Sequence, residues 1–293
     1  FGVEKYKFND FEDLQKKIDD LKKKGENCYA IVVEPLSAST LRLTTNEFLV
    51  KARKLCDEEN ILLIYDEIYS GWCKTGRLFN FIRSNTIPDI LVYAKSFGGG
   101  KASISGYTTR EHVMLKAYDN SDDFSLQSST YNCFGEETIT AIEAINVMIE
   151  NNYENKSISN GKKLKDILER IRIKFPNIID EIRGSGSFQG FTFKNPINNT
   201  IENIVTKFMP IKTYRDKNFF KKLLCASIIN ELYKEKNILT FGSFASDVLF
   251  KISPPIEIDH KDLEIFEQSL LKVLELGVVK LISNFLKYKF LKK

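Results

Sequence analysis

Apolar and polar positions alternate at two different spacings through the first part of the chain. In FNDFEDLQKKIDDLKKKG, residues 8–25, apolar side chains recur at helical spacing, which predicts an amphipathic helix capped by Asn9 or Asp10. The apolar run in YAIVVEP predicts a buried strand, and TTNEFLVKARKLCDEEN predicts a second helix capped by Thr44 or Thr45. A helix, a strand and a helix are therefore expected to open the fold.

Two further apolar runs predict neighbouring strands of the same sheet. The first ends in an Asp-Glu pair within ILLIYDEIYSGWCKTG, residues 61–76, and the second is DILVYAK, residues 89–95. A long helix, FGEETITAIEAINVMIENN, follows from near Phe134. Strands that alternate with helices in this order predict an α/β fold, in which a mostly parallel sheet is flanked by helices.

The remainder of the chain has a different pattern of predicted elements. NGKKLKDILERIRIKF is predicted to be helical, SFQGFTF and LFKIS to be short strands, and residues 259–290 to be a long helix or a helix pair. We therefore predict a large α/β domain over residues 1–152 and a smaller C-terminal α+β domain over residues 153–293.

Composition and charge argue against several classes of protein. The chain is 43% hydrophobic and 28% charged, as soluble globular proteins are, and its net charge of +4 is too small to indicate a nucleic-acid partner. No apolar run is long enough to span a bilayer and no signal-peptide pattern is present, so we expect a cytoplasmic protein without a membrane partner. Five cysteines without paired spacing and only two histidines argue against a disulfide framework, a metal site and a serine-histidine triad.

The acidic pair at the end of the strand in residues 61–76 suggests two common chemistries, and neither fits. A P-loop ATPase also requires G-x-x-x-x-G-K-[ST], but Lys95 stands where the first glycine would be, and Ala102 stands where a hydroxyl is needed. A dinucleotide fold requires G-x-G-x-x-G after a strand, and that pattern follows none of the predicted strands.

Asp66 and Lys95 offer a third possibility, because each closes a predicted strand. The carboxyl ends of parallel strands face one crevice, where ligands bind in open α/β sheets. A partly desolvated lysine can attack a carbonyl carbon and form a Schiff base, and a carboxylate opposite it can keep a pyridine nitrogen protonated. Pyridoxal 5'-phosphate requires this pair of groups.

Four motifs in order give the chain a family resemblance. Glu34-Pro35, FLVKARKLCDEENILLIYDEIYSGWCKTGRLF, PDILVYAKSFGGG and SSTYNCFG together resemble the class III aminotransferases, which are pyridoxal-phosphate enzymes of fold type I. The resemblance runs from about residue 29 to residue 148 and resumes in EIRGSGSFQGFTF and FKISPPIEI. It implies that residues 1–152 are part of a cofactor-binding large domain.

The resemblance also implies a role for individual residues near the cofactor. Lys95 matches the lysine that binds the cofactor and shuttles a proton, and Asp66 matches the partner of the pyridine nitrogen. Ile68 falls where the family packs an apolar side chain against the ring, and Tyr69 stands where many members place a glutamine near the ring hydroxyl. Thr130 matches a threonine that reaches the cofactor phosphate of the neighbouring subunit, which implies a homodimer.

Substrate choice depends on a second set of residues. Lys251, in FKISPP, falls where many members use an arginine to bind a substrate carboxylate. An ammonium lacks the planar fork of a guanidinium, which favours a loosely held carboxylate or a donor without one, such as an ω-amine or an amino sugar. Tyr69 and Trp72 are expected to supply aromatic walls near the substrate entrance.

The function that the resemblance implies is transamination between an amine donor and a keto acid or aldehyde acceptor. An aminomutase of the same family and a cofactor-free, non-catalytic dimerisation or regulatory remnant stay open as alternatives. Family members carry an additional N-terminal segment that cups the cofactor phosphate, so we expect this chain to be a C-terminal fragment, one piece of a split enzyme or a degenerate relative.

Each of these residues also has a purely structural interpretation when it is taken alone. A carboxylate at a strand end is often a helix cap or part of a surface ion pair, and three glycines in a row often form a flexible turn. By the same reasoning, Ile68 is a core residue and Lys251 is a surface residue. The remaining positions are helix caps, namely Ser128, Ser129 and Thr130.

Overall fold

The structure is a computed structural model that describes residues 2–119, 126, 130, 134–196, 216, 218–244 and 247–291. The chain divides into two compact units. The first unit consists of Phe1–Ala38 and Leu43–Glu154, and the second consists of Ser39–Arg42 and Asn155–Lys293. No described helix combines the length and the apolar content needed to cross a bilayer.

The first unit contains a four-stranded sheet in the order β1-β2-β3-β4. The strands β1, β2 and β3 are parallel to one another, and β4 is antiparallel to β3. The bounds are β1 Ala30–Val33, β2 Leu62–Asp66, β3 Ile90–Tyr93 and β4 Gly106–Thr109. The helices are α1 Phe11–Lys23, α2 Asn46–Glu59, α3 Glu111–Ala117 and α4 Gly135–Glu150, and single turns of 3-10 helix form at Asn80–Ser84 and Lys95–Gly98.

The helices α1 and α2 bury their apolar faces against the sheet. Leu14 and Ile18 of α1 join Phe48 and Leu49 of α2 in one cluster with the inward side chains of β1 and β2. Both helices begin at a capping side chain, because Asp10 Oδ1 accepts a hydrogen bond from the Asp13 amide at 2.9 Å and Thr45 Oγ1 accepts one from the Phe48 amide at 3.2 Å. The sheet is therefore held from one side by elements that the apolar pattern predicts.

The second unit contains an antiparallel sheet in the order β5-β6-β8-β7. The bounds are β5 Ile179–Ser185, β6 Phe188–Phe193, β7 Phe241–Phe244 and β8 Val248–Ile252. Its helices are α5 Tyr153–Lys174, α6 Phe219–Lys236, α7 His260–Glu275 and α8 Val278–Leu291. Every residue of β6 and of β8 is buried, so these two strands form the centre of this unit.

The predicted fold class, α/β with a parallel-rich sheet and a separate α+β part, is confirmed. The sequence did not predict the antiparallel edge strand β4 or the strands β5 and β7. It also did not predict that Ser39–Arg42, between β1 and α2, belongs to the second unit.

Candidate active site

Asp66 is the last residue of β2 and is half-buried. Along β2 the inward side chains of Leu63 and Tyr65 pack in the core, so the next residue delivers its side chain to the end of the sheet. Asp66 Oδ1 accepts a hydrogen bond from the Ile68 amide at 3.0 Å. The carboxylate also lines an open cleft of about 790 Å³, together with residues such as Glu34 and Ser37.

Lys95 opens the 3-10 turn that follows β3, and it is exposed. Its φ of +54° places the backbone in the left-handed region, which costs a residue with a Cβ about 1–2 kcal/mol. Lysine has no local reason to adopt this conformation, and strain of this kind clusters at functional sites. The expectation that the Lys95 amine is partly desolvated is wrong for this chain, because the residue is exposed.

The pairing of β2 with β3 sets Asp66 and Lys95 at one edge of the sheet. The two strands are parallel, and Asp66 is in register with Val92, three residues before Lys95. Tyr69, in the turn after β2, links the two strand ends, because Lys95 Nζ lies 4.8 Å from the centroid of its ring. The two strands therefore place a carboxylate at the end of β2 and an amine beside a phenol after β3.

An aromatic cluster supports the turn that carries Lys95. The Phe97 ring in that turn stacks on Trp72 with centroids 4.9 Å apart, and Tyr93 contacts both rings edge-on. Phe79 packs against Trp72 at 4.9 Å. Trp72 is only 6% exposed, so the expectation that it lines the substrate entrance is wrong, and its role is to anchor the Lys95 turn.

Glu67, the second half of the Asp-Glu pair, is 0% exposed and has a structural role that sequence reasoning missed. Its carboxylate accepts hydrogen bonds from Ser70 Oγ at 2.6 Å, the Asn80 amide at 2.9 Å and the Phe81 amide at 2.8 Å. Burial raises the pKa of Glu67, although the three hydrogen bonds oppose that shift. Glu67 therefore connects the loop after β2 to the Asn80–Ser84 turn through hydrogen bonds. Asp66 is the carboxylate of the pair that lines the cleft.

The other residues that the resemblance singles out lie in several environments. Ile68 and Tyr69 are half-buried beside Asp66, and burial raises the pKa of the Tyr69 hydroxyl. Thr130 is exposed, whereas Ser128 and Ser129 lie outside the residues that the structure describes.

Lys251 belongs to β8 in the second unit and is only 6% exposed. It is in register with Gly190 of β6 and with Phe241 of β7. Its Nζ lies 5.9 Å from the ring centroids of both Phe188 and Phe241. The interpretation of Lys251 as a surface lysine is therefore wrong, because the residue is buried beside the fully buried ring of Phe188, although the ring of Phe241 is exposed.

The donor groups at the sheet edge fit the ring end of pyridoxal phosphate. Asp66 offers a carboxylate of the kind that keeps a pyridine nitrogen protonated, and Lys95 offers an accessible primary amine. Tyr69 offers a half-buried phenol, a group able to donate a hydrogen bond to a ring oxygen as a carboxamide would. These three groups suit the ring end of the cofactor, and its phosphate needs other donors.

Comparison with known proteins gives a family and a fold. The family model of the class-III aminotransferases matches residues 3–228. A transaminase from the marine bacterium Virgibacillus is 16% identical with a TM-score of 0.74, and the match covers 94% of this chain and 57% of that one. The ornithine aminotransferase from Toxoplasma gondii is 23% identical with a TM-score of 0.73, covering 98% of this chain and 58% of that one. The lysine aminotransferase from M. tuberculosis is 19% identical with a TM-score of 0.70, covering 91% and 54%.

These solved structures share the fold of the chain at identities below 25%, so they carry no information on its substrate. The chain spans between 54% and 58% of the length of these three proteins.

Proposed function

The chain belongs to the class III aminotransferase family, and from that premise we propose that Asp66 and Lys95 form the cofactor end of a pyridoxal-phosphate-dependent transaminase. The family depends on pyridoxal phosphate, and the Toxoplasma gondii structure is described with partial occupancy of that cofactor. The observation that carries the proposal is the position of the two residues at the carboxyl ends of adjacent parallel strands.

Each residue of the edge has a separate task in the proposed reaction. When bound, the cofactor supplies an electron sink for the charge that develops on the substrate carbon. Asp66 holds the proton of the pyridine nitrogen through its carboxylate. Lys95 Nζ binds the cofactor and then carries a proton to and from the substrate carbon. Ile68 would pack against the ring of the cofactor, and the Tyr69 hydroxyl would donate a hydrogen bond to its ring oxygen.

The partners of the reaction follow from the family. We propose an amine donor, namely an amino acid, an ω-amine or an amino sugar, and a keto acid or aldehyde acceptor. Lys251 is proposed to bind the substrate, and its burial beside two aromatic rings supports this because a desolvated ammonium attracts an anion more strongly. Thr130 is proposed to bind the cofactor phosphate of the neighbouring subunit in a homodimer. We place the enzyme in the cytoplasm, in keeping with the free cysteines Cys28, Cys56, Cys73 and Cys225.

Borohydride reduction tests the assignment of the cofactor lysine. The purified protein is incubated with pyridoxal phosphate, reduced and digested, and the pyridoxyl group is located by peptide mapping. The label is expected on Lys95 and is expected to be lost in Lys95→Ala. Lys101 is the internal control, because it is exposed and lies in the same glycine-rich loop. A label on Lys101 in place of Lys95 would remove the assignment.

The same preparation separates the proposed function from its alternatives. A transaminase requires a second keto acid or aldehyde for each turnover, whereas an aminomutase turns over a single substrate. Protein supplied with the family's N-terminal segment that still stays colourless with added cofactor and takes no label would instead be a non-catalytic remnant, and Asp66 and Lys95 would then have no chemical role.

A further inference from the structure

The ring of Tyr69 faces the ammonium of Lys95. The separation of 4.8 Å between Nζ and the ring centroid is within the distance of about 6 Å at which an aromatic face attracts a cation. The two residues come from different elements, since Tyr69 follows β2 and Lys95 follows β3. The contact therefore joins the ends of two adjacent strands through their side chains.

Other contacts fix the backbone on both sides of this pair. The turn that carries Tyr69 is held by the hydrogen bond from Ser70 Oγ to the buried carboxylate of Glu67, at 2.6 Å. The turn that carries Lys95 is held by the stacking of Phe97 on Trp72. Because neither backbone depends on the Tyr69–Lys95 contact, that contact governs where the flexible lysine side chain rests.

We propose that Tyr69 is a positioning residue for Lys95, whose ring holds the lysine ammonium at the Asp66 edge of the sheet before the cofactor arrives. The functional meaning rests on the proposal that Lys95 binds the cofactor, but the contact is present in the chain without it. The role requires an aromatic face. A glutamine, which many family members place at this position, has no aromatic face. A tyrosine here can therefore hold the lysine ammonium in addition to hydrogen bonding to the cofactor.

The contact has a measurable chemical consequence. The ring holds the lysine side chain against its face and covers one side of Nζ. A cation-aromatic contact at an exposed site changes an equilibrium by about two- to five-fold. An amine held against the ring should therefore be about two- to five-fold less available to a reagent in solution than one that is free to move.

Competitive labelling tests the inference in the cofactor-free protein. Acetic anhydride is applied at a fixed pH in trace amount, and the labelling of Lys95 relative to Lys101 is measured by mass spectrometry. Tyr69→Phe keeps the ring and should leave the ratio unchanged. Tyr69→Gln and Tyr69→Leu remove the ring and should raise the ratio about two- to five-fold. Circular dichroism establishes that each variant is folded, and if Tyr69→Leu is not folded, the Phe and Gln variants decide the matter.

Two results would overturn the inference. A ratio in Tyr69→Gln equal to that of the wild type would show that the ring does not act on Lys95. A rise in Tyr69→Phe as large as in Tyr69→Gln would assign the effect to the hydroxyl instead. Failure here is distinct from failure of the proposed function, because borohydride mapping of Lys95 does not depend on the labelling ratio.

Discussion

Asp66 and Glu67 are adjacent in the sequence, and their carboxylates lie in opposite environments. Asp66 lines the cleft at the edge of the sheet, whereas Glu67 is fully buried and accepts hydrogen bonds from one hydroxyl and two amides. Glu67 directly follows β2, and its amide still donates to the Val92 carbonyl of β3 at 2.9 Å, so the alternation of side chains along the strand extends to it and explains the difference. The two positions should therefore respond differently to the loss of a negative charge.

Glu67→Gln should change how stability depends on pH. Because burial raises the pKa of Glu67 above its ordinary value of 4.5, folding favours the protonated acid. The stabilising contribution of Glu67 is present in full below pH 4.5 and is lost as the pH rises through the folded-state pKa. The wild type should lose stability relative to Glu67→Gln as the pH rises, which denaturant titrations at several pH values measure. Glu58→Gln, at an exposed position of α2, should run parallel to the wild type, and a pH-independent difference for Glu67→Gln would contradict the prediction.

Asp66→Asn should separate cofactor attachment from turnover. If the proposed function holds, the variant keeps Lys95, so borohydride should still place a pyridoxyl group there, while transaminase activity should fall by about 100-fold, as it does when one preorganised electrostatic partner is removed. Borohydride peptide mapping measures the attachment, and a steady-state assay measures the turnover. Asp119→Asn, which removes an exposed carboxylate, is the matched control and should retain activity. Normal turnover in Asp66→Asn would exclude the role of Asp66 at the ring nitrogen.

Gly99→Ala and Gly100→Ala should differ in stability although both glycines have positive φ. A Cβ at Gly99 would come within 2.8 Å of Ala144 Cβ in α4, whereas one at Gly100 would meet open space. Both variants should lose about 1–2 kcal/mol from left-handed backbone, and Gly99→Ala should lose a further 1–3 kcal/mol or so from overpacking. Urea titration measures both values, and equal losses would show that α4 does not restrain the Lys95 turn.

Lys251→Arg should shift the preference among amine donors. If Lys251 binds the substrate, a guanidinium should favour α-amino acids, because its planar fork binds both carboxylate oxygens. A panel of α-amino acids, ω-amines and amino sugars, compared by kcat/KM, measures the shift. Lys162→Arg, at an exposed position of α5, should leave the profile unchanged. The same donor profile in the wild type and in Lys251→Arg would remove Lys251 from substrate binding.

The sequence predicts a strand or a helix well where the apolar pattern of the segment itself determines it. It predicts less well the features that depend on contacts with distant segments of the chain. It could not choose between Asn9 and Asp10, or between Thr44 and Thr45, because each pair offers suitable capping groups. The structure resolves both choices through distant contacts. Asn9 Nδ2 donates to the Leu43 carbonyl at 3.1 Å, and Thr44 Oγ1 donates to the Glu34 carbonyl at 2.8 Å, so their neighbours cap the helices.

The same limit applies to residues whose role depends on distant packing. Trp72 follows a predicted strand end, which suggests a position near substrate, yet Phe97, 25 residues later in the chain, buries it. Residues 39–42 read as a loop, and their place in the second unit depends on contacts such as the one from Arg183 to the Thr40 carbonyl at 3.4 Å. The shared position of Asp66 and Lys95 was easier to predict, because the carboxyl ends of parallel strands lie at one edge of the sheet regardless of the conformation of the loops.

The left-handed backbone at Lys95 lowers the stability of the protein, whereas the amine at the same position is needed for the proposed chemistry. Glycine adopts this conformation without penalty and asparagine with a smaller one than lysine, so either would relieve strain while removing the amine. A library selected for thermal tolerance alone would therefore drift away from lysine at this position. Lysine would be retained at this position only if the selection also required its amine. Persistence of Lys95 in a library that is also grown on an amine donor would therefore indicate that the amine is used.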